Sequence, residues 1–404
     1  GEWQILSAAV VYLTILDFGT HTYAINRLNQ CFHTGRMEDF RRNLHSAMAV
    51  ALLAAGLGLA VVIPGTLLAP VKEWFHLEAT EAWMATAVLV VLAVHAALAL
   101  PIAMLGGVYR AIGEYARDIM VNNVYRTAVC ALTAVIALTG GGIGLVAVMQ
   151  LACFAGAMGY IAWDLRRRHP EIDLGVRGAE RGLVLSFIVP SLLFFLVQAS
   201  ASAVVQGTVL VVGATAGAAA VAVFTTLRTL VYAIPQVVGS VSGTLWPELT
   251  ALDAQGEREA LRSLHLLSGK VMLWLGIASA VFLHYSAGDI VAAWTGGRIA
   301  FDQQLIDGLL VLELLTTWTL ASATLLAASN RPQTLAWSQG LMTVGGLVLG
   351  YVLAGKWGSV GVPVGLVVAS LCTTAWYLPL AACWSQGESF WRFAREVLGK
   401  GVVV

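Results

Sequence analysis

Apolar runs of about 18 residues or more recur along the whole chain, separated by short polar breaks. A helix of that length covers about 30 Å of hydrocarbon, so the pattern predicts membrane-spanning helices. Eleven are read, over 3–28, 45–69, 81–107, 117–139, 143–164, 183–206, 214–247, 264–286, 303–327, 334–354 and 359–381. The breaks carry turn chemistry: Pro70 with Lys72 and Glu73, Gly140-Gly141-Gly142, Asn330-Arg331-Pro332 and Gly355-Lys356-Trp357. Segments 70–79 and 287–301 read as interfacial turns, with Trp74 and Trp294 as aromatic anchors at the membrane surface.

The runs fall into two similar halves. Arg42-Asn43-Leu44-His45 aligns with Arg262-Ser263-Leu264-His265, and each tetrapeptide opens an apolar run. At nearly the same offset the loop around Arg110 falls on the loop around Arg331, and Gly141-Gly142-Ile143-Gly144-Leu145 on Gly358-Ser359-Val360-Gly361-Val362. The second half holds an additional run, 183–206, with no counterpart ahead of the first. The expectation is a duplicated membrane protein whose first half shows one helix fewer than its second.

Loop charge agrees with that count. One alternate set of loops holds Arg27, Arg36, Arg41 and Arg42, then Arg110 and Arg117, then Arg166, Arg167, Arg168, Arg177 and Arg181, and later Arg258, Arg262 and Arg331. The other set holds only Lys72, Arg298 and Lys356. The positive-inside rule places the first set in the cytoplasm and Gly1 outside. Six helices per half return the chain to its starting side, so the repeats are parallel. The fold class is therefore all-α integral membrane, with 1–164 as an N-terminal lobe, 165–182 as a cytoplasmic linker and 183–404 as a C-terminal lobe with a short tail.

Composition narrows the function. Mean hydropathy is +0.80 and only 11% of the residues are charged, against about 25% in a soluble domain. A formal net charge of zero gives no basic signature for nucleic acid. Cys31, Cys130, Cys153, Cys372 and Cys383 stand singly and form neither a metal-binding nor a disulfide spacing. No loop is long enough for an extramembrane domain, and no P-loop, HExxH, Gly-x-Ser-x-Gly or paired-carboxylate constellation is present. An enzyme, a metal site and a cofactor are not expected.

Ionisable groups inside a span are costly and mark function or pairing. Arg228 lies about thirteen residues, roughly 20 Å, into its helix, in Phe224-Thr225-Thr226-Leu227-Arg228-Thr229. A guanidinium there either takes an anionic group bidentately or caps carbonyls within one lobe. Glu313 lies near the midplane, where a carboxyl can carry a proton or join two helices. Asp17, in Leu16-Asp17-Phe18-Gly19, either lines the same cavity as Arg228 at another height or caps local backbone. Both carboxyls are candidates for ion coupling. Arg126 and Gln198, the latter clustered with Ser200, Ser202 and Gln206, are further candidates for substrate contact, with snorkelling and helix packing as the alternatives. His95 sits at the depth of Glu313 in the matching helix, and Pro190 and Pro235 are candidate kinks.

The run Val223-Phe224-Thr225-Thr226-Leu227-Arg228-Thr229, followed by Trp246-Pro247-Glu248-Leu249, resembles polysaccharide flippases of the O-antigen type. Leu16-Asp17-Phe18-Gly19 and Trp294-Thr295-Gly296-Gly297 resemble them too. These proteins belong to the multidrug/oligosaccharidyl-lipid/polysaccharide exporter superfamily. The resemblance implies a V-shaped, two-lobed bundle of twelve helices, of which eleven are visible here. It implies movement of an undecaprenyl-pyrophosphate-linked oligosaccharide between leaflets of the bacterial inner membrane, with Arg228 at the family's arginine position. Implied partners are that lipid-linked oligosaccharide, membrane lipids, and a polysaccharide polymerase with its assembly proteins. The runner-up is a cation-coupled drug or metabolite efflux antiporter of the same fold.

Overall fold

The computed structural model describes residues 19–74 and 80–399, and among these the chain is helical with no strand. It divides into two compact units, Gly1–Leu192 and Leu193–Val404. The first contains α1 (Thr20–His33), α2 (Met37–Leu68), the short α3 (Val71–Trp74), α4 (Ala82–Ala111), α5 (Tyr115–Leu138), α6 (Ile143–Arg168) and the start of α7 (Arg181–Val231). Helix α4 is its centre, touching α1, α2, α5 and α6. It can approach them closely because its buried face is rich in small residues, including Ala93, Ala96, Ala97, Gly106 and Gly107. A side chain at Gly106 would collide with Asp118, and one at Gly107 with Ile25.

The second unit takes the rest of α7, then α8 (Ala233–Gln255), α9 (Arg258–Thr295), α10 (Gln303–Ala328), α11 (Pro332–Trp357), a 3-10 turn Gly358–Val360, α12 (Gly361–Cys372), α13 (Thr374–Gln386) and α14 (Phe390–Leu398). Helix α10 is central here, against α8, α9, α11, α12 and α13. Two hairpins shape the unit. Helix α7 reverses at Gly217, whose φ of 82° and ψ of 177° are open almost only to glycine. Helices α11 and α12 reverse at Gly358 and then pack backbone to backbone, since a Cβ at Gly361 would meet Leu353 and Ala354, and one at Gly365 would meet Gly350.

Ten of the eleven expected helices are found, and the eleventh, 3–28, lies for the most part outside the described residues. Among the described residues, eight helical stretches are long and apolar enough to cross a membrane, two of them, Arg181–Gln255 and Pro332–Gln386, doubling back as hairpins. The chain is a multi-pass membrane protein. Four expectations need correction. The span 359–381 is two helices, α12 and α13, broken at Thr373. The segment 287–301 is not a turn at its start: α9 continues to Thr295, because Ala287 and Val291 extend its buried stripe beyond Ala280 and Leu283. Trp294 therefore stands on the last turn of a helix. The span 214–247 is two elements, broken at Tyr232, three residues before Pro235, which has no N–H to give to the ladder. The C-terminal tail contains a helix, α14, whose Phe393 and Val397 are spaced to bury one face against the unit.

Candidate functional site

Arg228 lies on the returning limb of the α7 hairpin, about 16 Å along the helix from the reversal at Gly217. The antiparallel limbs bring Val205 and Thr208 beside it. Its Nη1 donates to the Val205 carbonyl at 2.6 Å and to Thr208 Oγ1 at 3.0 Å. Phe224, one turn earlier and buried, sets its ring 5.6 Å from the guanidinium carbon. No carboxylate pairs with Arg228 among the described residues. The half-buried guanidinium thus makes the expected carbonyl contact inside its own unit and also faces open space. It lines a cavity of about 360 Å³ with Val205, Thr229, Tyr232, Ala233 and Gln236. Tyr232 and Gln236 reach it because α8 follows after the break and continues the same stripe.

The other candidates are not gathered there. Arg126 is exposed on α5 in the first unit, Gln198 is exposed on the outgoing limb of α7, and neither borders the cavity. Glu313 is half-buried on α10, and no hydrogen bond or ion pair to its carboxylate is found among the described residues, although its carbonyl accepts from Thr317. Asp17 lies outside the described residues. Sequence reading missed Thr208, Tyr232 and Gln236. The available signal was the spacing of residues 208 and 228 about Gly217, visible only once that glycine is known to be the turn.

The first unit has a polar cavity of its own, of about 200 Å³, bordered by His21, Arg110, Asp118, Asn122, Tyr125 and Phe154. Arg110 donates to Asp118 at 2.7 Å, and Asn122 reaches the same carboxylate at 3.0 Å. His95 meets the Tyr125 hydroxyl at 3.2 Å and packs on Phe154, which makes it part of a packed polar cluster. The positive charge here is neutralised at once, unlike that of Arg228. No group of three or more metal-ligating side chains occurs among the described residues.

No family model and no curated protein matches the sequence. Solved structures do. A MATE transporter in its bent conformation superposes with a TM-score of 0.80 at 16% identity, over 98% of this chain and 90% of the other. An outward-facing multidrug resistance MATE family transporter of the MOP superfamily gives 0.77 at 17% identity, over 98% and 89%. A MOP superfamily transporter from Pyrococcus furiosus, described as having a binding pocket of reversed polarity that suggests a different function, gives 0.76 at 16% identity, over 98% and 89%. The chain shares its fold with the MATE transporters of the MOP superfamily.

Proposed function

We propose that this protein is a transporter of the bacterial inner membrane whose Arg228 cavity receives an anionic group of its substrate. The observation that carries the reading is a guanidinium in an apolar helix with no carboxylate partner among the described residues, held at one nitrogen and open at the rest. Such a charge is costly in hydrocarbon unless water or an anion meets it. Its planar fork suits a phosphate or pyrophosphate bidentately. An undecaprenyl-pyrophosphate oligosaccharide, the substrate implied by the sequence resemblance, supplies such a group and leaves its tail in the bilayer.

The second reading is multidrug or metabolite efflux, and the structural comparisons favour it over the first, because the neighbours are MATE transporters, one of them named for multidrug resistance. A cation-exporting cavity would present carboxylates and aromatic faces, whereas the cavity around Arg228 presents, among the described residues, one aromatic, Tyr232, and no carboxylate. In either reading Glu313 and Asp17 are the groups proposed for ion coupling. The test is Arg228→Ala in the full chain, in cells whose surface polysaccharide depends on it. Loss of display at matched membrane abundance supports the anionic reading, and unchanged display removes Arg228 from the mechanism.

A further inference from the structure

The guanidinium of Arg228 is constrained on three sides, and each constraint leaves the same edge free. Nη1 carries two N–H bonds, and both have acceptors: the Val205 carbonyl and Thr208 Oγ1. The Phe224 ring lies near the guanidinium carbon. What remains is the edge formed by Nε and Nη2, the pair that a carboxylate or phosphate engages with two parallel bonds.

Thr208 is suited to hold that geometry and to do nothing else. It is 2% exposed and does not border the cavity. Its hydroxyl proton is committed to the carbonyls of Val204 at 2.8 Å and Val205 at 3.2 Å. Oγ1 is therefore left with lone pairs only, and it meets Arg228 as an acceptor. A β-branched side chain bonded back to its own helix has little rotamer freedom, so the direction of that lone pair is set by the helix. We propose that Thr208 is a positioning residue: it fixes the rotation of the Arg228 guanidinium so that the Nε–Nη2 edge faces the cavity and accepts an oxyanion bidentately. The inference rests on the anionic reading of the cavity for its consequence, although the restraint itself does not. Without Thr208 one N–H of Nη1 loses its acceptor, the fork turns to find another, and the free edge leaves its place.

The test uses the full chain in lipid nanodiscs, labelled with 15N-arginine, in wild type, Thr208→Val, Thr208→Ser and Arg228→Lys, the last assigning the Arg228 signals by their absence. Valine keeps the shape and removes the acceptor, whereas serine restores it. Expected are separate, slowly exchanging Nη protons for Arg228 in wild type and in Thr208→Ser, merged into an averaged signal in Thr208→Val at an unchanged melting temperature. Separate signals persisting in Thr208→Val overturn the proposal. If Thr208→Val does not fold, Thr208→Ala takes its place with the same two outcomes. Inorganic pyrophosphate titrated into the same samples should bind about tenfold more weakly to Thr208→Val than to wild type or Thr208→Ser, as for one lost hydrogen bond to a charged group. Pyrophosphate bound equally by wild type and Thr208→Val, and lost in Arg228→Lys, also overturns it. If wild type binds no pyrophosphate, the anionic reading falls, and the arginine signals alone decide for or against Thr208.

Discussion

His45 and His265, one in each repeat, are both buried, and each uses Nδ1 as an acceptor and Nε2 as a donor. In His45, Nδ1 accepts the Gly178 amide at 2.9 Å and Nε2 donates to the Asp173 carbonyl at 3.0 Å. In His265, Nδ1 accepts from Gln386 Nε2 at 3.0 Å and Nε2 meets Ser322 Oγ at 3.0 Å. Through Nδ1 each ring ties the start of its helix, α2 or α9, to chain that follows or ends the last helix of its own repeat. The arginine three residues earlier joins in: Arg42 pairs with Glu180 at 3.4 Å, and Arg262 donates through Nε to the Gln386 carbonyl at 3.1 Å. Two copies of one latch hold the ends of two bundles.

Replacing either histidine with alanine removes two hydrogen bonds and should lower stability by about 1–3 kcal/mol. The two latches share no partner, so the double variant His45→Ala with His265→Ala should lose close to the sum. Chemical denaturation in detergent measures this. Losses far below that range would mean that the strap after each last helix contributes nothing to stability.

Close backbone packing of α11 on α12 gives a second outcome. Gly365→Ala forces a methyl against the Gly350 backbone, which cannot move aside as a flexible side chain can. Overpacking of this kind costs about 1–3 kcal/mol. Gly355→Ala on the same hairpin meets open space and should be near neutral. Equal melting temperatures for the two variants would contradict the packing described.

The turn between α13 and α14 carries a pH dependence. Burial pushes the Glu388 carboxyl above the usual carboxylate range, against the pull of Arg392 and Arg262. The folded chain thus holds this proton more tightly than the unfolded chain does. The group's contribution is full below the unfolded carboxylate value and declines as pH rises from there through the folded value. Glu388→Gln should raise the melting temperature at about pH 7 and leave it unchanged at about pH 3, where the carboxyl is protonated in both states. A gain of the same size at both values would show that charge at Glu388 is not the cause.

Glu313 offers a test of coupling. Glu313→Gln preserves shape and removes the titrating proton. If the carboxyl couples transport to an ion gradient, uptake into proteoliposomes should lose its response to an imposed pH gradient while substrate binding persists. A gradient response equal to wild type would exclude Glu313 from coupling.

Much of the fold was legible in the sequence because membrane helices declare themselves by length and apolarity, and the repeat by its landmarks. Arg42 to His45 and Arg262 to His265 do occupy matching places. The errors arose where burial overrode local signals. The segment 287–301 read as a turn, yet its start is helix, with Asp289 exposed and the opposite face packed through Val291. Helix α14 was hidden because Phe393 and Val397 are too few to form an apolar run, and only the groove at Gly269 and His265 makes them core. For the site, Arg228 stood out by its charge in an apolar run. Thr208 did not, because a threonine in a membrane helix is ordinary until a hairpin brings an arginine to it.

The central claim is that Arg228 handles an anionic group during transport. Its most direct measurement is translocation in proteoliposomes of two probes, a fluorescent polyprenyl-pyrophosphate saccharide and a lipophilic cationic dye, by wild type and by Arg228→Ala. The account predicts that wild type moves the anionic lipid and that Arg228→Ala does not, with the variant folded and inserted at equal density. Movement of the cationic dye alone, or anionic-lipid movement unchanged by Arg228→Ala, would contradict it.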